Sequence, residues 1–387
     1  MSLTSQQITM LKQQAGEAMR GNDARAAAEA FAQLISAGAA DGQVWYGMAL
    51  ASRALGDFEK AHAAVDQILT RERGHVQALI AKADIYAAQN DTRAAASFYD
   101  EAVRAAGPID RLPPQVAGEV RRAKAEADKA ADAMLAHLKT RLKDAGFDEA
   151  ASSKRFRDSV EILAGKRERY PEEPRVFYFD GLPARGFYDP AEFDWTATIE
   201  AASDDIAAEL SAAMNDEAAF EAYVKGETDR PQRAHRLLNN KDWSALYLWR
   251  EGVREEAAAR FPKTMAALDA APLDRVDGRG PMALFSRLKP GTRIDPHTGF
   301  LNTRLICHLP LVMPGQCGLR VGADVHHWRK GELCIFNDTI EHEAWNDSDE
   351  TRIILLFSIW RPELTEEERR LVGALLQSVA SFSGGGA

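Results

Sequence analysis

Apolar positions in the first hundred residues recur at helical spacing, and the spacing itself repeats. Asp23, Asp57 and Asp91 stand 34 residues apart. Four residues after each comes an alanine (Ala27, Ala61, Ala95), and four further on an apolar side chain (Phe31, Val65, Tyr99). A small residue followed one turn later by a larger one, on one helix face, suits helices that pack closely in pairs. The pattern therefore predicts stacked helix pairs over residues 5–107. Pro108, Pro113 and Pro114 break it. Ala/Lys/Glu/Arg-rich stretches over residues 114–143 and 149–168 then predict two helices with solvated faces.

Near Tyr170 alanine thins out, and aromatics, prolines and glycines appear. Residues 176–179 read as a strand and residues 181–183 as a turn. Helical patterns return near 201–214, 243–251 and 262–270. From Met282 to Trp360 the chain reads as short strands with turn signals, predicting an antiparallel sandwich or barrel. The tail 383–387 is expected to be disordered. The 34-residue period of paired helices resembles the tetratricopeptide repeat, which implies a superhelix whose concave groove often holds a peptide. The expected organisation is 1–107 helical repeats, 108–169 linking or capping helices, and 170–387 a β-rich domain.

Composition narrows the classes. The chain has 387 residues, 45% of them apolar, enough for two domains with real cores. A net charge of −10 argues against sequence-independent nucleic-acid binding. The three cysteines, Cys307, Cys317 and Cys334, are odd in number and form no zinc-site spacing. The N-terminus lacks an apolar leader-like run, and the longest strongly apolar run, residues 353–360, is far too short to span a membrane. A cytoplasmic protein without membrane or nucleic-acid partners is expected.

Five of the nine histidines (His297, His308, His326, His327, His342) fall within 46 residues of the strand-rich region. Neutral imidazole suits iron, zinc, copper or nickel. His297 follows a turn at Lys289-Pro-Gly-Thr292, and His342 comes tens of residues later. That is the spacing of mononuclear non-haem iron sites in β-sandwiches, where facing strands bring the imidazoles together. The carboxylate that usually sits two residues after the first histidine is missing, because Gly299 stands there. Period-2 alternation puts Arg304, Ile306 and His308 on one strand face and Leu305, Cys307 and Leu309 on the other. His326 and His327 are expected in an exposed loop.

The segments Phe285-Ser-Arg-Leu-Lys-Pro-Gly-Thr292, Pro296-His-Thr-Gly-Phe-Leu-Asn302, Arg304-Leu-Ile-Cys-His-Leu309, Trp328-Arg-Lys-Gly331, Phe336-Asn-Asp-Thr-Ile-Glu-His-Glu-Ala-Trp-Asn346 and Trp360-Arg-Pro-Glu-Leu364 resemble the catalytic core of the aspartyl/asparaginyl β-hydroxylase family. With upstream segments, the resemblance covers residues 171–365. It implies a double-stranded β-helix (jelly-roll, cupin-like) oxygenase domain behind the repeats. The implied cofactors are Fe(II), 2-oxoglutarate and O2, with hydroxylation coupled to decarboxylation of 2-oxoglutarate to succinate. In this family two histidines hold iron without a carboxylate, and glycine replaces the acid. The resemblance makes His297 and His342 the iron ligands. It pairs Arg352 and Ser286 with the distal carboxylate of 2-oxoglutarate and sets His308 near its other end. Where the best-known member has an arginine, this chain has Ile306, so His308 and iron suffice or Arg304 reaches in. Asp338 is expected either to accept a hydrogen bond from iron-bound water or to cap a turn. Trp243 is a candidate cosubstrate contact, although Trp243 and Trp249, six apart on an expected helix, also read as core packing.

The resemblance implies a hydroxylase acting on the β-carbon of an aspartyl or asparaginyl residue in a peptide or protein, which the repeats would present. The alternatives are the same chemistry on a free amino acid, an acyl chain or another small molecule, or a non-catalytic interaction protein built around the repeats.

Overall fold

The structure, a computed structural model, describes residues 3–214, 216, 218–226 and 236–383. The expected disordered tail lies, beyond Ser383, outside the described residues. The chain divides into two units, Met1–Arg167 and Glu168–Ala387.

The first unit is all helix: α1 (Ser5–Arg20), α2 (Ala24–Ser36), α3 (Gly42–Ala54), α4 (Phe58–Leu69), α5 (Val76–Ala88), α6 (Thr92–Ala106), α7 (Pro114–Lys143) and α8 (Lys154–Leu163). From α1 to α7 each helix packs on the next, as in tetratricopeptide repeats. The periodic aspartates prove to be N-caps. The carboxylates of Asp23, Asp57 and Asp91 accept the backbone N–H of Ala26, Lys60 and Ala94 at the starts of α2, α4 and α6. Each follows a residue in left-handed backbone, namely Asn22, Gly56 and Asn90, so the chain reverses and the next helix starts within two residues. Ala27, Ala61 and Ala95 are buried, as are Phe31, Val65 and Tyr99 one turn on. The helix expected over 149–168 is shorter. Asp148 folds 148–152 into a turn by accepting from Ala150 and Ala151 at 2.8 Å, and Ser153 caps α8.

Gly47, in mid-α3, allows the closest approach in this unit. A Cβ there would sit 2.2 Å from the Phe31 ring of α2. Gly47→Ala should therefore destabilise the protein by about 1–3 kcal/mol through overpacking, although alanine in a helix normally stabilises by roughly 1 kcal/mol relative to glycine. A lower melting temperature in the full chain is the expected reading, and an unchanged or raised one would contradict the packing.

The second unit is built on antiparallel strands: β1 (Phe187–Tyr188), β2 (Glu221–Ala222), β3 (Trp243–Arg250), β4 (Val253–Arg254), β5 (Ala283–Leu288), β6 (Thr292–His297), β7 (Arg304–Val312), β8 (Cys317–Val321), β9 (Asp324–His326), β10 (Cys334–Phe336), β11 (His342–Asn346) and β12 (Arg352–Trp360). The large sheet runs β1-β10-β7-β12-β5-β3-β2, with β4 on β3, and the small sheet runs β6-β11-β8-β9. Together they form a jelly roll. Leu284, Ile306 and Ile354 of the large sheet meet Ile294, Leu319 and Ala344 of the small one in the inner core. The other face of the large sheet (Leu305, Cys307, Leu309, Leu355, Phe357) is covered by α9 (Thr196–Ala201), α10 (Ser203–Ser211) and α11 (Pro262–Leu268). The last helix, α12 (Glu366–Ser383), closes the unit. Among the described residues no helix is long and apolar enough to cross a membrane.

Two expectations fail locally. Residues 243–251 hold strand β3, not a helix. It lies between β2 and β5 and is covered on both faces, so its apolar run is nearly continuous and carries no clean period. Residues 176–179 form no strand. The backbone N–H groups of Arg175, Val176 and Phe177 instead bond the carbonyls of Gly299 and Phe300, making a strap beside His297.

Candidate active site

His297 closes β6 and His342 opens β11. They are register partners on adjacent strands of the small sheet, rather than on facing strands as the spacing suggested. Their ring centroids are 4.1 Å apart. Each ring is fixed by its own chain: His297 Nδ1 meets the Asp295 carbonyl at 2.9 Å, and His342 Nδ1 the Ile340 carbonyl at 3.1 Å. A carbonyl only accepts, so both protons sit on Nδ1 and both Nε2 lone pairs stay available. Burial lowers both pKa values to about 4, helped at His297 by the neighbouring His342. Both rings are thus neutral at pH 7, the form that ligates a metal.

Gly299 has a steric explanation. A Cβ there would lie 2.1 Å from Asp338 Oδ2. The space that a carboxylate two residues after His297 would need is filled by a carboxylate from the loop before His342. Asp338 is buried, its Oδ1 has no hydrogen-bond partner, and Arg304 Nη2 lies 4.0 Å from its Oδ2. Burial raises its pKa, against the opposing pull of Arg304 and His297. Gly299→Asp, which restores the usual acid in sequence, should therefore weaken metal binding about 10–100-fold, the scale of a disturbed outer shell. Tighter binding in a cobalt(II) titration would contradict this.

Glu172, just before the strap, holds both histidine loops. The Glu172 carboxylate accepts from Asn302 Nδ2 at 3.3 Å, from Arg361 Nη1 at 2.8 Å and from Asn337 Nδ2. Asn302 follows His297 and Asn337 precedes His342, so one buried acid ties the two loops together.

All eight candidates (Trp243, Ser286, His297, Arg304, His308, Asp338, His342 and Arg352) line one cavity of about 490 Å³. Arg352 is 1% exposed, and its Nε and Nη1 have no acceptor. Its guanidinium lies over the Trp328 ring, 5.1 Å from the centroid. Burial lowers its pKa to about 10. It stays charged at pH 7, at a cost on the order of 3 kcal/mol. A buried cation without a counter-ion awaits an anion. His308 is buried with Nδ1 unpartnered, and burial holds its pKa well below the usual value. Ile306 sits between Arg304 and His308 on the cavity face, and Arg304 Nε is likewise without an acceptor.

Trp243 reaches the cavity and Trp249 does not. A β-bulge between Tyr247 and Trp249 turns Trp249 toward the helix-covered face. His326 lies in strand β9, paired with Leu319, rather than in a loop, while His327 is exposed; neither lines the cavity. Sequence reasoning passed over Arg175, Tyr223 and Phe300, which do line it. Phe300 stands inside the matched segment 296–302, where its place in the motif could have flagged it, and nothing local marks the other two.

Two neutral imidazoles with free Nε2 atoms fit a divalent first-row metal. Among the described residues no group of three His, Cys, Asp or Glu can hold one, so the remaining positions are left to oxygen donors from ligands.

The model of the "Aspartyl/Asparaginyl beta-hydroxylase" family matches residues 200–362. The human aspartyl/asparaginyl beta-hydroxylase is 39% identical over 141 residues, 36% of this chain and 18% of that protein. This chain thus matches less than a fifth of that relative's length. The ornithine lipid ester-linked acyl 2-hydroxylase of Rhizobium tropici is 31% identical over 200 residues, 51% of this chain and 67% of that protein. Among solved structures, the TPR2B domain in its pHsp70 complex, from yeast Sti1, is similar over 32% of this chain and 98% of that one, at 20% identity and a TM-score of 0.29.

Proposed function

Because the chain belongs to the aspartyl/asparaginyl β-hydroxylase family, we propose that it is an Fe(II)- and 2-oxoglutarate-dependent dioxygenase that hydroxylates the β-carbon of an aspartyl or asparaginyl residue in a peptide or protein. The observation that carries the reading is the buried, unpaired guanidinium of Arg352 in the same cavity as two neutral, carbonyl-tethered imidazoles. His297 and His342 would hold the iron. When bound, the iron supplies dioxygen activation coupled to decarboxylation of 2-oxoglutarate.

The protein's own residues bind and orient. The Arg352 fork takes the distal carboxylate of the cosubstrate in charge-assisted hydrogen bonds, with Ser286 beside it. Because the site is buried, these bonds act in a low dielectric and exclude water. His308, neutral and unpartnered at Nδ1, is available to the other end of the cosubstrate. Arg304 lies beside Asp338 and offers its unpartnered Nε to a second anion. A substrate side-chain carboxylate would meet that need. We assign the helical repeats to selecting the peptide.

A second reading has its own support. Ile306, Ile354, Leu356, Leu319 and Phe336 give the cavity an apolar lining, and a relative covered over two thirds of its length is named as an acyl 2-hydroxylase. Succinate release from 2-oxoglutarate, measured with aspartyl- and asparaginyl-containing peptides and with ornithine lipid in parallel, separates the two. Peptide-stimulated turnover, with one oxygen atom gained on the peptide, is expected. Stimulation by the lipid alone would replace the peptide reading with the acyl one.

A further inference from the structure

Resting on the 2-oxoglutarate reading, we propose that Trp243 is a positioning residue: it makes the Ser286 hydroxyl an obligatory donor to the carboxylate held by Arg352, and Tyr223 holds the indole in place for that task.

The argument starts from proton counting. The Trp243 indole N–H is a donor and cannot accept. It lies 3.2 Å from Ser286 Oγ, and the pair is buried, so the direction of this bond is fixed. Serine has one proton and two acceptor sites. With an acceptor site filled by the indole, the hydroxyl proton must find another acceptor. Among the described residues none takes it, and Ser286 lines the cavity. The proton is therefore left for a ligand. On the neighbouring strand, Ile354 is the register partner of Ser286, and Arg352 stands two residues before it on the same face. Hydroxyl and guanidinium thus serve one end of the cavity. Without the indole, the hydroxyl could rotate and present lone pairs to an incoming carboxylate, which repels.

The indole itself is held. The Tyr223 ring stacks on it with centroids 4.0 Å apart and planes 14° apart. The Tyr223 backbone N–H donates to the Trp243 carbonyl at 3.0 Å. The phenol hydroxyl meets only the Met282 sulfur among the described residues, at 3.9 Å. Tyr223 is a half-buried aromatic packed against the inner core that includes Trp243, and it too lines the cavity.

The test is calorimetric titration of 2-oxoglutarate into the 387-residue protein loaded with nickel(II), which supports no turnover. Trp243→Phe keeps the stack and removes the donor; it should weaken binding about tenfold, the scale of one hydrogen bond. Ser286→Ala should do the same. The double variant should be no weaker than Ser286→Ala alone, because both changes remove one relay. Tyr223→Leu should weaken binding in the native background but not in the Ser286→Ala background, and it stands in if Trp243→Phe does not melt cooperatively. Native affinity in Trp243→Phe, or losses that multiply in the double variant, would overturn the relay. Arg352→Met is run alongside. If it too binds like the native protein, the cosubstrate reading itself has failed rather than the relay alone.

Discussion

Replacing His342 by alanine is expected to lower turnover by roughly 10³-fold or more, beyond the roughly 10–100-fold typical of losing a group that only orients a ligand. The reason is the small donor set. On the proposed reading two imidazoles hold the metal, and among the described residues no third His, Cys, Asp or Glu completes a cluster. Asp338 is a buried carboxylate lining the same cavity, but it is wedged where a Gly299 Cβ would be, with Arg304 beside it. His308 sits on the large sheet, against Phe336 and Trp328. His297→Ala should match His342→Ala, because the two rings are cross-strand partners with the same carbonyl tether. His326→Ala and His327→Ala should keep near-native turnover, since neither ring lines the cavity. Succinate formation and metal content after dialysis would check all four. Retained turnover in His342→Ala would place the metal elsewhere.

Arg352→Met should move stability and function in opposite directions. In the ligand-free protein the guanidinium is buried with two unpaired nitrogens, and an apolar side chain of similar length removes a charge that folding disfavours. Replacements of this kind are neutral or stabilise by about 1–4 kcal/mol. Part of that gain is offset by the lost contact with the Trp328 ring. The ligand-free melting temperature should stay level or rise by a few degrees, on the usual scale of roughly 2–4 °C per kcal/mol for a domain of this size. Affinity for 2-oxoglutarate should fall by about 100-fold or more, the loss expected when a buried charge pair forfeits one partner. The stabilisation that 2-oxoglutarate gives the native protein should vanish with it. A variant that melts lower and still binds would mean that Arg352 is structural.

What could be read from the chain, and what could not, follows from the range of the interactions. The repeats were legible because every second helix start, at α2, α4 and α6, carries its own local signal: an aspartate whose carboxylate caps the helix it precedes. The β7 faces were legible because side chains alternate strictly there, with His308 toward the cavity and Cys307 toward the helices. Strand β3 was not legible. Covered on both faces and broken by a bulge, it offers no period, and its aromatics fit helix or strand equally. His326 was misplaced because a three-residue strand is fixed by its partner, not by its own residues. Gly299 read from sequence as a missing acid, whereas the structure accounts for it by a carboxylate 39 residues away in the chain. Tyr223 and Glu172 act through contacts with Trp243 and with the two ligand loops, so no local pattern could have singled them out.

The central claim is that His297, His342 and Arg352 together form an iron and 2-oxoglutarate site. Its most direct test is an anaerobic titration of the iron(II)-loaded protein with 2-oxoglutarate, following the visible metal-to-ligand charge-transfer band. The account predicts a saturable band in the native protein, none in His342→Ala, and saturation only at far higher cosubstrate concentration in Arg352→Met. No band in the native protein at any concentration would contradict it.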